Sequence, residues 1–449
     1  MPYVPHSDDD VRRALEAIGV DSLEALFADL PEALRDPPIE LPEALDEVAL
    51  LGRVRALAAR DQTSGPDFLG GGMRRHFIPT VTPHLAFQSE FVTAYTPYQP
   101  EVSQGVLQAT FEYQSLMCEL TGLPASNASM YDGASSVAEA ALLAVRQTRR
   151  ERVLVSRGVH PETIEVLQTY LWPLGIELET IELERLTTPV PEVGGDVACL
   201  IVQTPSFVGT LEPMAALTEA AHAAGALMVA TVDPLSLAVL ASPGEYGADI
   251  AVGDGQTIGN PVAFGGPSFG FMVVSEPLLR QLPGRLVGQT TDVDGRRAFV
   301  LTLQAREQHI RRSKAKSNIC SNHQLTALMA TINLAALGPE GLREMAEGSV
   351  RRAHQLADAL RAAGGEVLHA ERFFNEFVLR LEREPHTLRR QLSERGVRAG
   401  VSVPDAFGLG HAVVLSATEL TSDADIEALL VALRELGVLE GESQPEVYS

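Results

Sequence analysis

The sequence predicts an α/β protein in three parts. These are an N-terminal helical arm (1–65), a large domain built on a mostly parallel sheet (66–318), and a smaller C-terminal α/β domain (319–449). Three observations carry this. Prolines 31, 37, 38 and 42 break the first stretch into short pieces. From Arg152 to Val232, short apolar runs alternate with helical patterns, the signature of a parallel sheet covered on both faces. Gly338-Pro339 then stops an apolar helix ahead of a second strand–helix set.

In order, Ser7 caps a helix over Asp8–Ala17. Asp21 with Glu24 makes a capping-box pattern closed by Pro31, and 36–42 is extended. Residues 105–121 suit a buried helix ending at Gly122. Strands are expected at Arg152–Val155, Glu177–Ile181, Cys199–Val202, Ala226–Val232 and Phe271–Val274, with Ala248–Val252 as a further buried run. Helices are expected at Pro161–Trp172 and Met214–Ala223. A charged helix is expected around Leu301–Lys316 and apolar ones over Leu325–Leu337 and Leu342–Ala363. In the last part, Phe373–Leu381 and Ala412–Ser416 are strands, and Thr387–Glu394 is a helix. A final helix capped by Ser422 ends at Gly437, and the tail from Glu440 frays.

Composition narrows the function. The chain carries 59 acidic against 35 basic residues, a formal charge of −24. That excludes nucleic acid, which needs a basic surface, and an anionic membrane. Cys118, Cys199 and Cys320 lack metal-ligand or disulfide spacing and read as buried thiols, with no metal expected. No charged leader precedes an apolar run and no run approaches membrane-spanning length, so a cytoplasmic protein is expected.

The chemistry is concentrated between Ala230 and Gly270. Two buried strands end there in polar turns, where open sheets place ligands. An Asp at one strand end and a Lys about two dozen residues later is what a pyridoxal-phosphate (PLP) site needs. The Asp holds the pyridine nitrogen protonated and the Lys amine bonds the aldehyde. Asp233 is present, but Gln256 stands where the lysine should be. The only lysines, Lys314 and Lys316, lie in an arginine-rich run. The turn at Asp132-Gly133-Ala-Ser135-Ser136 leads into a helix whose N–H groups could cradle a phosphate, although plain capping by Ser135 explains it as well. Gly253-Asp-Gly255 fails as a dinucleotide fingerprint because its third glycine is late and Pro261 follows. Gly70-Gly71-Gly72 has no Gly-Lys-Ser/Thr behind it and reads as a tight turn.

A second segment, Thr93-Ala-Tyr95-Thr-Pro97-Tyr98-Gln-Pro100-Glu101-Val-Ser-Gln104-Gly105, is fixed by its prolines. It reads as a packed loop with buried rings or as a loop lining an active site. This motif closely resembles the glycine decarboxylase P-protein family, as do Phe68–Gly72, Asn127–Gly133 and Arg311–Ile319. Such proteins are similar to fold-type I PLP-dependent transferases. In the two-subunit branch, an α and a β subunit divide one ancestral double-length chain, and this sequence resembles α. The resemblance implies an α2β2 assembly with PLP on the partner β subunit, in a His-Lys-Thr motif that Gly255-Gln256-Thr257 matches in register. It implies decarboxylation of glycine and transfer of the aminomethyl group to the lipoyl arm of H-protein. Tyr95, Tyr98, Glu101 and Gln104 would then serve the partner's site. Ser135, Asp233 and Gln256 would be vestigial positions, with no cofactor bound by this chain. Two alternatives stand beside this: an autonomous PLP enzyme using Lys314 or Lys316, and a purely structural partner.

Overall fold

A computed structural model describes residues 6–440 apart from 36, 39, 62, 63, 93, 94, 320 and 369–371. Cys320 and the expected frayed tail beyond Glu440 fall outside the described residues. The chain divides into two units, 1–63 and 64–449.

In the first unit, the helix Asp8–Ile18 begins with the expected cap. Ser7 and Asp10 bond reciprocally to each other's backbone N–H groups. The pattern at Asp21 yields only a 3-10 turn, Glu24–Phe27. There Ser22, not Asp21, accepts from the Ala25 N–H at 3.3 Å. A longer helix, Glu47–Ala58, starts where the Asp46 side chain accepts from Ala49 N at 2.8 Å.

The second unit is built on a seven-stranded sheet. Its order is Ala125–Ser126, Gly270–Val274, Ile250–Asp254, Leu227–Val232, Val197–Thr204, Arg152–Ser156, Glu177–Ile181. The last five of these are parallel, and the first two are antiparallel to their neighbours. Period-2 alternation sends Leu200, Val202, Met228 and Ala230 to one face, and Cys199, Ile201 and Val229 to the other. Both faces are apolar because both are covered. The helix Gly133–Thr148 lays Val137, Ala141 and Ala144 on one, and Gln104–Thr121 lays Tyr113 and Met117 on the other. Each large apolar side chain so buried contributes roughly 1.5–3 kcal/mol. Burial also pushes the Cys199 thiol far above its usual range and Cys118 up to about 11, so neither is a reactive thiolate.

The smaller sheet has three antiparallel strands, Glu376–Arg380, Ala412–Ser416 and Val401–Ser402, in that spatial order. Leu388, Leu392, Leu429 and Leu433 from the helices Pro385–Glu394 and Asp423–Glu435 join its core. The segment Asp67–Phe68 pairs in parallel with Arg398–Ala399, which ties the chain just before Gly70 to this part.

Two expectations are corrected. Leu301–Lys316 is not one helix. Its first residue ends a hairpin, Val287–Thr291 with Arg297–Leu301, and the rest is three single turns. Its large apolar side chains are Leu301 and Leu303 at one end and Ile310 further on, too few to make a continuous stripe that would hold a helix. Three of its cations bond backbone carbonyls instead: Arg306 that of Leu282, Arg311 that of Ala305 and Lys316 that of Arg280. The other concerns spans. Gln324–Ala362 is long and apolar enough over one window to pass for a membrane crossing. It is broken at Gly338 (φ 62°) before Pro339, as the sequence predicted, and its Ala330, Leu334, Met345 and Leu360 are buried in the cores.

One buried acid has a consequence for pH. Burial pushes the Glu212 carboxyl up to about 7, against the opposing hydrogen bond from the Thr188 N–H. In the unfolded chain such a group ionises near about 4.3. The fold therefore holds the proton more tightly, and the stability this gives is full below about pH 4 and lost as the pH rises through about 7. Glu212→Gln should remove that loss. Urea unfolding at about pH 5 and about pH 8 should show the variant losing roughly 2 kcal/mol less than the unaltered chain between them. Parallel pH dependence in the two proteins would contradict the assignment.

Candidate functional site

Asp233 follows the strand Leu227–Val232, and Gln256 follows Ile250–Asp254, the neighbouring strand. The N-terminus of the helix Gly133–Thr148 reaches the same sheet end. All three, with His160 and Gly70–Gly72, line one cavity of about 750 Å³. The topology thus brings Ser135's helix, Asp233 and Gln256 together, as the strand-end reading required.

What fills the site is a residue the sequence did not single out. Arg74, buried to 6% exposure, reaches in from the glycine run. Its guanidinium pairs with the Asp233 carboxylate and, at 2.7 Å, with Glu376 of the smaller sheet. Burial disfavours its charge, but Glu376 and Asp233 outweigh that and hold its pKa above the usual value. Asp233 also accepts from the Thr257 hydroxyl at 2.6 Å and the Leu235 N–H at 3.0 Å. The second Glu376 oxygen accepts from Gly71 N at 2.6 Å and Gly72 N at 3.4 Å. The triple glycine therefore does make a tight turn, with φ of 83° at Gly71 and 112° at Gly72. It cradles an anion too, and the anion is the chain's own carboxylate.

The helix terminus is similarly occupied. Asp132 is its cap, accepting from Ser135 N at 2.7 Å, and the Ser135 hydroxyl oxygen accepts from Asp132 N in return. Asp254 accepts from Gly133 N at 3.2 Å, and also from Gln256 N and the Ser268 hydroxyl. Burial pushes the Asp254 carboxyl up against these bonds. Close backbone approach explains the glycines nearby, since a Cβ on Gly255 would stand 1.9 Å from the Phe269 ring. These residues do not fit PLP. There is no amine at position 256, Asp233 already holds a cation, and carboxylates take the N–H groups a phosphate would need. Lys316 bonds Arg280 O and Gln281 Oε1, and neither lysine lines the cavity.

The tyrosine segment lies elsewhere. Thr93 and Ala94 fall outside the described residues. Tyr95 is 83% exposed and borders a separate cavity of about 490 Å³ that Tyr113, Asn322 and His323 also line. Tyr98 is half exposed. Its ring meets His309 edge-on at 5.8 Å, and the Arg285 guanidinium lies 5.5 Å from its centroid. Glu101 is exposed. Gln104 is a brace: its amide donates to Pro100 O and Phe299 O and accepts from Phe299 N, at 2.7–2.9 Å. The reading of this segment as a packed loop with buried rings is therefore incorrect for Tyr95 and Tyr98, whose rings the fold leaves outside the core. Sequence reasoning also missed Arg285 and Asn322, which bond each other at 3.1 Å. Asn322 further holds Ala128 O and Ser129 Oγ. Among the described residues no cluster of His, Cys, Asp and Glu could hold a metal ion.

The profile of the glycine cleavage system P-protein family matches residues 1–433. The chain belongs to this family. A Moorella thermoacetica relative named probable glycine dehydrogenase (decarboxylating) subunit 1 is 48% identical over 441 residues, covering 97% of this chain and 99% of the relative. The crystal structure of a glycine decarboxylase P-protein in inhibitor-bound form superposes with a TM-score of 0.89 at 55% identity, covering 97% of this chain and all of that one. A Burkholderia pseudomallei sphingosine-1-phosphate lyase, 16% identical, matches with a TM-score of 0.63 over 91% of this chain and 95% of its own, which speaks to fold alone. The P-protein chain described here thus has the fold-type I PLP-enzyme architecture and is a component of an oxidoreductase. Its relatives' designation as subunit 1 implies a second subunit.

In this P-protein chain the ion triad should dominate local stability. Arg74→Ala leaves Asp233 and Glu376 facing one another without their cation. Breaking a buried pair in this way costs about 3–5 kcal/mol. Asp233→Asn, which leaves Arg74 with Glu376, should cost less. Urea unfolding of the two variants checks this, and a loss under about 1 kcal/mol for Arg74→Ala would contradict it.

Proposed function

We propose that this chain is the α subunit of an α2β2 glycine decarboxylase that anchors no PLP of its own. It works in the cytoplasm with a β subunit that carries the cofactor. The assembly decarboxylates glycine and passes the aminomethyl group to the lipoyl arm of H-protein. One observation carries the reading: the strand-end site is intact as a fold, but its Asp233 is taken by Arg74 and Gln256, which holds Arg74, stands at the lysine position. PLP on the partner supplies the electron sink for decarboxylation.

The chain's own part is to shape and close the partner's site. Phe77, Phe87, Val92, Tyr95 and Val102 are each at least half exposed within one short segment. An apolar run of this kind on a free chain marks a contact surface. It includes the loop predicted to reach the β-subunit site. Tyr95 and Tyr98 would offer flat apolar walls and a hydroxyl each, excluding water as the substrate and then the lipoyl arm are placed. Gln104 acts as a positioning residue, bracing the loop on the Arg297–Leu301 strand, and Glu101 supports the loop from its exposed side.

Glycine–bicarbonate exchange by purified α2β2 complexes carrying Tyr95→Phe or Tyr98→Phe tests this, with assembly checked by size. Loss of a hydroxyl that bonds the reacting groups should cost roughly 1–3 kcal/mol, or about one to two decades in rate. Full exchange by both variants would remove the tyrosines from the site and leave a scaffold role.

A further inference from the structure

Gln256 does more than fail to be a lysine. Its side-chain oxygen accepts the Arg74 N–H at 3.0 Å, and its side-chain nitrogen donates to the Arg74 carbonyl at 2.9 Å. The same nitrogen donates to Asn260 O at 2.8 Å. The amide therefore reads both polar groups of one residue's backbone, as a paired strand would. An ammonium at this position could donate to the carbonyl, but it could not accept the N–H, which would be left buried and unpaired. It would also add a second cation beside the guanidinium.

We propose that Arg74 is a built-in ligand, its guanidinium standing in the cation's place before Asp233, and that Gln256 is the residue that seats it. A lysine at position 256 and an arginine seated before Asp233 then exclude one another, because each disfavours the other. Three features support this. Arg74 faces Asp233 from the side of the cavity, not from a neighbouring strand. Its second carboxylate, Glu376, belongs to the smaller sheet and is itself held by Gly71 and Gly72. Around the clamp a cavity of about 750 Å³ persists, so the arginine takes one part of the site and leaves the rest open.

The proposal rests on the reading that the chain anchors no PLP. That reading fails separately, through an adduct on the unaltered chain. The test compares Gln256→Lys with Arg74→Ala/Gln256→Lys in the full-length chain. The probe is pyridoxal, whose lack of phosphate takes the acidic helix terminus out of the comparison. The introduced amine adds to the aldehyde and water leaves. Borohydride then delivers hydride to the carbon of the C=N bond, and mass mapping reads the adduct at position 256. The double variant should be labelled about tenfold more at matched pyridoxal. Equal labelling of both, or none of a folded double variant, would overturn the proposal. Should circular dichroism show the double variant unfolded, Arg74→Ala alone is melted with millimolar methylguanidinium. A rise in melting temperature absent from the unaltered chain supports a ligand site occupied by Arg74, and no rise overturns it.

Discussion

A guanidinium held between two carboxylates, out of water, is the constraint on which the cleft depends. Asp233 follows a strand of the large sheet, Glu376 begins one of the small sheet, and Arg74 comes from the segment after Gly70–Gly72. One cation thus ties three parts of the chain. Two buried negative charges against one positive would leave an excess that a low-dielectric interior tolerates poorly. The excess is spread over N–H and O–H donors: Gly71 and Gly72 on Glu376, and Leu235 and Thr257 on Asp233. A pair this buried depends on such partners, because desolvating each ion costs several kcal/mol before any attraction is counted.

The same logic runs through the neighbouring helix terminus. A helix N-terminus attracts anions, and here Asp132 and Asp254 have taken its N–H groups. The Asp233 carboxylate and the helix-terminal N–H groups of Gly133 and Ser135, which a PLP site would present outward, are paired within the chain. The exposed, unsatisfied surface is instead the segment around Tyr95 and Val102. That exposed segment is where the proposed function places the contact with a second subunit.

Much of this was legible in the sequence because it is local or periodic. Runs such as Cys199–Val202 are apolar at every position, as strands covered on both faces must be. Asp233, Gln256 and the turn before Ser135 fall at strand or helix ends, so a parallel sheet had to gather them at one edge. The partners that close the site were not legible. Arg74 and Glu376 lie 302 positions apart, and no spacing or motif links them. The glycine turn could be read from composition, but its anion could not, because it comes from the far end of the chain. In Leu301–Lys316 charge density suggests a helix, but Arg306, Arg311 and Lys316 bond backbone carbonyls across separate turns.

We propose a division of labour in which this chain keeps the PLP-enzyme fold and leaves the cofactor to its partner. The most direct measurement is borohydride reduction of the assembled complex with PLP bound, followed by peptide mapping of both subunits. The expected result is one pyridoxyl-lysine per αβ pair, on the partner subunit, and none on this chain. Stoichiometric label at Lys314 or Lys316 would contradict it.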